Sequence, residues 1–173
     1  MLAPEQEKWI AHLSNEKKIE IIPYDPATNQ RFEALRQWIH SALGNGVEVV
    51  HRGATSLRIS GQGELDVYLP VLPENFDAMV RSVASVFGEP GSLYPLERAR
   101  FVTDVHGTKA EVFVINQESQ GWKNGVRFEG YLKANPEALE AYRKLKEGGN
   151  GLSLREYYRR KLEFINEILS KVL

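Results

Sequence analysis

The stretch that decides the fold is VEVVHRGATSLRISGQGELDVYLPVLP, residues 47–73. Two apolar segments flank a run of glycine, threonine, serine and arginine, and the second segment carries Glu64 and Asp66 among leucines and valines. A carboxylate in a buried strand costs free energy unless it is paired, hydrated or bound to a metal. Strand alternation puts Leu65, Val67 and Leu69 on one face and Glu64, Asp66 and Tyr68 on the other. The two carboxylates therefore point the same way.

Outward from this strand, GVEVVH reads as a second strand by its valines. PENFDAMVRSVASVFG reads as a helix with Phe76, Met79, Val80, Val83 and Val86 inward and Gly88 as its stop. ARFVTDV and TKAEVFVIN flank His106-Gly107 as a hairpin. Its second strand places Ala110, Val112 and Val114 on one face and Lys109, Glu111 and Phe113 on the other, so a carboxylate again interrupts an apolar strand. Upstream, Trp9, Ile10 and Leu13 predict an amphipathic helix over 4–17, with Pro4 in its first turn. Asp25 is the expected N-cap, with Pro26 at the first position, of a helix carrying Phe32, Leu35, Trp38, Ile39 and Leu43. From about residue 119 the pattern is helical in three runs, broken by GGNG at 148–151. The expectation is a single α+β domain over residues 1–173. It has a mixed sheet of about four or five strands flanked by helices (18–118) and a helical C-terminal third (119–173).

With 173 residues, 42% of them hydrophobic, the chain can bury a core without staples. The absence of cysteine excludes disulfides, thiolate zinc sites and a cysteine nucleophile. A polar N-terminus and no run of roughly 18 apolar residues lead to an expectation of a cytoplasmic protein with no membrane partner. A net charge of −1 provides no field for a polyanion, so a nucleic-acid partner has no support.

Glu64, Asp66 and Glu111 are acids within strands whose other face is aliphatic, and neighbouring strands can bring them together. Hard cations such as Mg²⁺ or Mn²⁺ bind such oxygens, usually alongside substrate phosphates. The solvated face of an antiparallel sheet has the same alternation, so both readings stand. Just upstream, Gly53 in GATS lets the backbone approach a ligand, and Thr55 and Ser56 offer donors for phosphate oxygens. His51, at a strand end, reads equally as a phosphate donor and as a hydrogen-bonded structural histidine. Arg52, Arg58, Arg98, Arg100 and Lys109 are further candidates for an anion pocket, although each alone reads as an ordinary surface charge. Lys109 shares a strand face with Glu111, and neutralisation of the acids by this lysine is the alternative to a metal. No Ser-His-Asp order, P-loop lysine or dinucleotide fingerprint is present, which removes support for those acyl-transfer and ATPase chemistries.

A strand, a Gly-small turn and an acid-apolar-acid strand, followed by a third acid on a later strand, resembles the nucleotidyltransferase superfamily. Gly53-Ala54, Glu64-Leu65-Asp66 and Glu111 match those three elements. IEIIPYDP, VVHRGATS, YLKANPEALEAYRKLK and YYRRKLEFI, in order over residues 19 to 168, are similar to the motifs of the GrpB-like family within that superfamily. The resemblance implies divalent ions on the acids and a nucleoside triphosphate or other phosphorylated ligand. It further implies nucleotidyl transfer to a hydroxyl or, alternatively, a non-catalytic accessory module like the domain appended to a dephospho-coenzyme A kinase. It adds Tyr157 and Lys161 to His51, Gly53, Thr55, Ser56 and Asp66 as matching positions. The chain departs from the family pattern at Ala54, where serine is usual, at Arg58-Ile59-Ser60 for Pro-Gly-Leu, and at GQGE for Lys-Pro. It also departs at Glu64, where many relatives have an aliphatic residue, and near Glu111, where they have a histidine, so it carries more acids than the family pattern requires.

Overall fold

A computed structural model describes residues 2–172. Helix α1 (Pro4–Ala11) is followed by α2 (Thr28–Leu43), strand β1 (Val50–Arg52) and a one-turn helix α3 (Gly53–Ser56). Strand β2 (Leu65–Val71), α4 (Phe76–Phe87), and strands β3 (Ser92–Tyr94), β4 (Arg98–Val105) and β5 (Thr108–Asn116) come next. Helices α5 (Gln120–Ala134), α6 (Pro136–Glu147) and α7 (Leu154–Val172) complete the chain.

Among the described residues five strands form one mixed sheet in the order β1-β2-β5-β4-β3. Only β2 and β5 run parallel, with Asp66 opposite Glu111 and Leu65 opposite Ala110. That register puts the aliphatic rows of both strands on one face, as expected. Leu65, Val67, Leu69, Ala110, Val112 and Val114 are all fully buried, against Leu35 and Ile39 of α2 and Phe76 and Val83 of α4. Each valine, leucine, isoleucine or phenylalanine so taken from water contributes about 1.5–3 kcal/mol. The hairpin between β4 and β5 closes on His106 and Gly107, both at positive φ (51° and 79°), with Val105 paired to Thr108. Positive φ at both central residues is the primed turn that suits the twist of paired strands.

Local expectations needed correction in three places. The first helix stops at Ala11 rather than running to residue 17. Asp25 does not cap α2 directly: it accepts the Ala27 N–H at 2.9 Å, and Ala27 is the N-cap, so a Pro26-Ala27 turn separates the acid from the helix. Strand β3, with three residues, is too short for a periodic signal and was not anticipated.

The chain divides into two compact units. The sheet unit comprises residues Tyr24–Arg58 and Gly63–Lys123. The helical unit takes residues up to Pro23, Ile59–Gln62, and everything from Asn124 onward. Its packing is aromatic: Tyr142 stacks on Phe164 and meets Phe128 edge-on, with centroids 5.3 Å apart in each pair. Helix α1 is tied to α7 by the Glu7–Arg159 bridge at 2.8 Å. The segment Ile59–Gln62 joins this unit through a bridge from Gly61 to Ile22 and a 2.8 Å hydrogen bond from Ser60 to Glu147.

Candidate functional site

Residues of β2 and β5 that do not face the core carry the acids. Asp66 and Glu111 lie opposite each other in the parallel register, and Glu64 immediately precedes β2. One carboxylate oxygen from each of Glu64, Asp66 and Glu111 lies within 4.8 Å of the others, and all three side chains are half-buried. An ion with metal–oxygen distances of about 2.0–2.6 Å can be reached by three carboxylates so spaced, and an all-oxygen set suits Mg²⁺ or Mn²⁺.

The acids are also met by cations. Arg100 on β4 donates to Glu111 Oε1 at 2.6 Å. Lys109 Nζ lies 2.7 Å from Glu64 Oε1 and 3.2 Å from Glu111 Oε1, so one ammonium spans two of the three acids. Burial alone would lower the Lys109 pKa; its hydrogen bond to Glu64 and the charges of Glu64 and Glu111 outweigh this and raise it. The lysine side chain is 46% exposed, against 12% for Glu111.

The turn at α3 adjoins this cluster. Gly53 has φ +77°, and a Cβ there would run into the Asp66 carboxylate. Both the backbone conformation and the space therefore require glycine. The acid strand and the Gly-small turn are in direct contact. Thr55 and Ser56 are half-buried in this turn, and Arg58 just beyond it is exposed at φ 56°.

His51 does not share the acid face. It pairs across the strands with Val67, a core residue, and its ring stacks on Phe32 of α2 at 4.6 Å. A 2.8 Å hydrogen bond links its Nε2 to Thr55 Oγ1, so it braces the turn from behind. Its strand neighbour Arg52 is the residue opposite Asp66, and so lies on the acid face. Arg52 is 7% exposed, not a surface charge. Its guanidinium stands 5.5 Å from the Tyr68 ring and 5.0 Å from that of Trp122 at the start of α5. Among the described residues every buried side-chain nitrogen and oxygen has a partner, as a desolvated guanidinium requires. Tyr68 in turn stacks on Phe113 of β5 at 4.6 Å, and Arg98 of β4 lies over Phe113. Sequence reasoning missed this stacked row. Parity alone would have found its first member: Val47, Val49 and His51 alternate onto the core side, which leaves Arg52 opposite them.

The structure therefore brings Glu64, Asp66, Glu111, Lys109, Arg100 and Gly53 together. Tyr157 and Lys161 belong to the helical unit. Tyr157 is fully buried there, with its hydroxyl 3.2 Å from Lys146 Nζ and its ring against Gly149. Burial pushes its pKa up to about 12. Lys161 Nζ lies 5.2 Å over the ring of Tyr158.

Among the described residues no helix is long and apolar enough to cross a membrane. Residues 18–171 match the family model described as GrpB protein. No curated protein matches the chain. Among solved structures, the conserved protein GrpB from Enterococcus faecalis is similar at 21% identity and TM-score 0.66, over 88% of this chain and 98% of that one. The Cid1 poly(U) polymerase with MgGTP bound aligns at 13% identity and TM-score 0.46, over 83% of this chain and 49% of that one.

Proposed function

The chain belongs to the GrpB family, and from that premise we propose that its acid-bearing sheet face binds a divalent cation together with a nucleoside triphosphate or another phosphorylated small molecule. The observation that carries this reading is the convergence of Glu64, Asp66 and Glu111 within 4.8 Å, beside a turn whose glycine is required by Asp66. In this proposal the three carboxylates hold Mg²⁺ or Mn²⁺. The 53–56 turn, with Thr55 and Ser56, offers donors to the ligand's phosphate oxygens. Arg100 keeps Glu111 aimed at the site, and His51 holds Thr55 in place from the core side. When bound, the cation supplies charge neutralisation for the phosphates and acidifies a hydroxyl brought against it. The corresponding reaction is nucleotidyl transfer to a hydroxyl acceptor: a new phosphodiester bond forms, pyrophosphate leaves, and the hydroxyl gives up its proton.

The test is calorimetric titration of nucleoside triphosphates with and without Mg²⁺, in the wild type and in Asp66→Ala. Metal-dependent binding that the substitution abolishes supports the reading, and equal binding in both proteins ends it. A second reading is favoured by the bridges from Lys109 and Arg100, which balance the acids from within. On that reading the domain is a non-catalytic module that takes its phosphorylated ligand without metal. Nucleotide binding unchanged by a chelator would select it.

A further inference from the structure

Beside the acids a cation is already seated. Lys109 Nζ makes contacts of 2.7 Å to Glu64 and 3.2 Å to Glu111, through the Oε1 atom of each. A divalent ion on those carboxylates needs the same oxygens at about 2.0–2.6 Å, so the ammonium and the ion exclude one another. Arg100 is a different kind of neighbour. It grips Glu111 from the adjacent strand with a planar guanidinium, whereas Lys109 carries its charge on a flexible four-carbon stem that is nearly half exposed. Of the two, the lysine is the one that can leave.

Resting on the cation-site reading above, we propose that Lys109 is a built-in competitor for the metal whose displacement couples metal binding to binding of a polyphosphate anion. In the free protein the ammonium fills the place between Glu64 and Glu111. Entry of the ion breaks both contacts and leaves an unpaired ammonium at the edge of the site, which weakens metal binding on its own. A polyphosphate ligand restores the balance, because its oxygens give the freed ammonium a new partner while also binding the ion. By linkage, metal and polyphosphate each strengthen the other by the same factor. The substrate class this selects is multiply charged, a nucleoside triphosphate or diphosphate rather than a neutral nucleoside.

The experiment measures Mn²⁺ affinity by calorimetry, and then affinity for a non-hydrolysable adenosine triphosphate analogue at zero and at buffered free Mn²⁺. It compares the wild type, Lys109→Met and Lys109→Arg. The expected result is that Lys109→Met binds Mn²⁺ alone about tenfold more tightly than the wild type. Mn²⁺ should strengthen analogue binding by a factor several times larger in the wild type than in Lys109→Met, where only the direct contacts between ion and phosphate oxygens remain to couple the two. Lys109→Arg, which retains a charged partner, should keep part of the coupling. Unchanged or weaker Mn²⁺ binding in Lys109→Met, or undiminished coupling, overturns the proposal while leaving the cation site standing. Absence of Mn²⁺ binding from every variant removes the cation site itself, and this proposal with it. If Lys109→Met does not fold by circular dichroism, Lys109→Gln carries the same test.

Discussion

The two faces of the sheet share the same strands, yet they are built on opposite terms. On the α2 and α4 side, Leu65, Val67, Leu69 and their partners on β5 are sealed from water and interchangeable in kind. On the other side, one residue along, Asp66 meets Gly53 and lies across from Arg52, while Glu111 meets Arg100 and Lys109. The first face holds the fold by area removed from water. The second is held by paired charges and stacked rings, and part of it remains open. Burial stabilises through many equivalent contacts, while a charged face depends on a few partners that another charge can replace.

The largest expected effect is on the sealed face: Leu69→Ala should lose about 2–5 kcal/mol in urea unfolding. Mn²⁺ affinity of the remaining folded protein should stay unchanged, and a parallel loss of metal binding would show that the faces are not independent. Next, a nucleoside triphosphate with Mg²⁺ at a hundred times its dissociation constant should stabilise the wild type by about 2.7 kcal/mol in thermal unfolding, and Asp66→Asn not at all. Gly53→Ala comes third. Its Cβ meets the Asp66 carboxylate at a positive φ, so a loss of about 1–3 kcal/mol is expected, together with ligand binding. Wild-type binding in that variant would detach the turn from the site. The smallest stability effect is predicted for Glu64→Gln, less than about 1 kcal/mol because its bridge to Lys109 is partly exposed. Its Mn²⁺ affinity should nonetheless fall at least tenfold, and a variant that unfolds easily but binds normally would reverse the assignment of that face.

Much of this contrast was legible in the residues. Period-two alternation in ELDVYLPV and TKAEVFVIN identified the buried rows and put Glu64, Asp66 and Glu111 on the opposite side. The two-residue turn at His106-Gly107 was equally local. What escaped depends on neighbours distant in the chain. Arg52 reads as a surface charge until Tyr68 and Trp122 are brought against it from β2 and α5. His51 reads equally as a phosphate donor and as a hydrogen-bonded structural histidine until strand pairing turns it towards Val67 and Phe32. Residues 59–62 look like part of a glycine-rich loop between two strands. Their hydrogen bonds, however, go to Ile22, Glu147 and Tyr158, and no local pattern encodes that.

The Arg52 stack also makes the site visible to light. Of the chain's three tryptophans, Trp9 and Trp38 are exposed, while Trp122 is half-buried with a guanidinium 5.0 Å from its ring. Indole emission shifts with nearby charge, and Arg52 is the cross-strand neighbour of Asp66. A protein with phenylalanine at positions 9 and 38 would therefore carry a single tryptophan, one residue away from the acids, whose selectively excited emission reports arrival of an ion or a phosphate without any label.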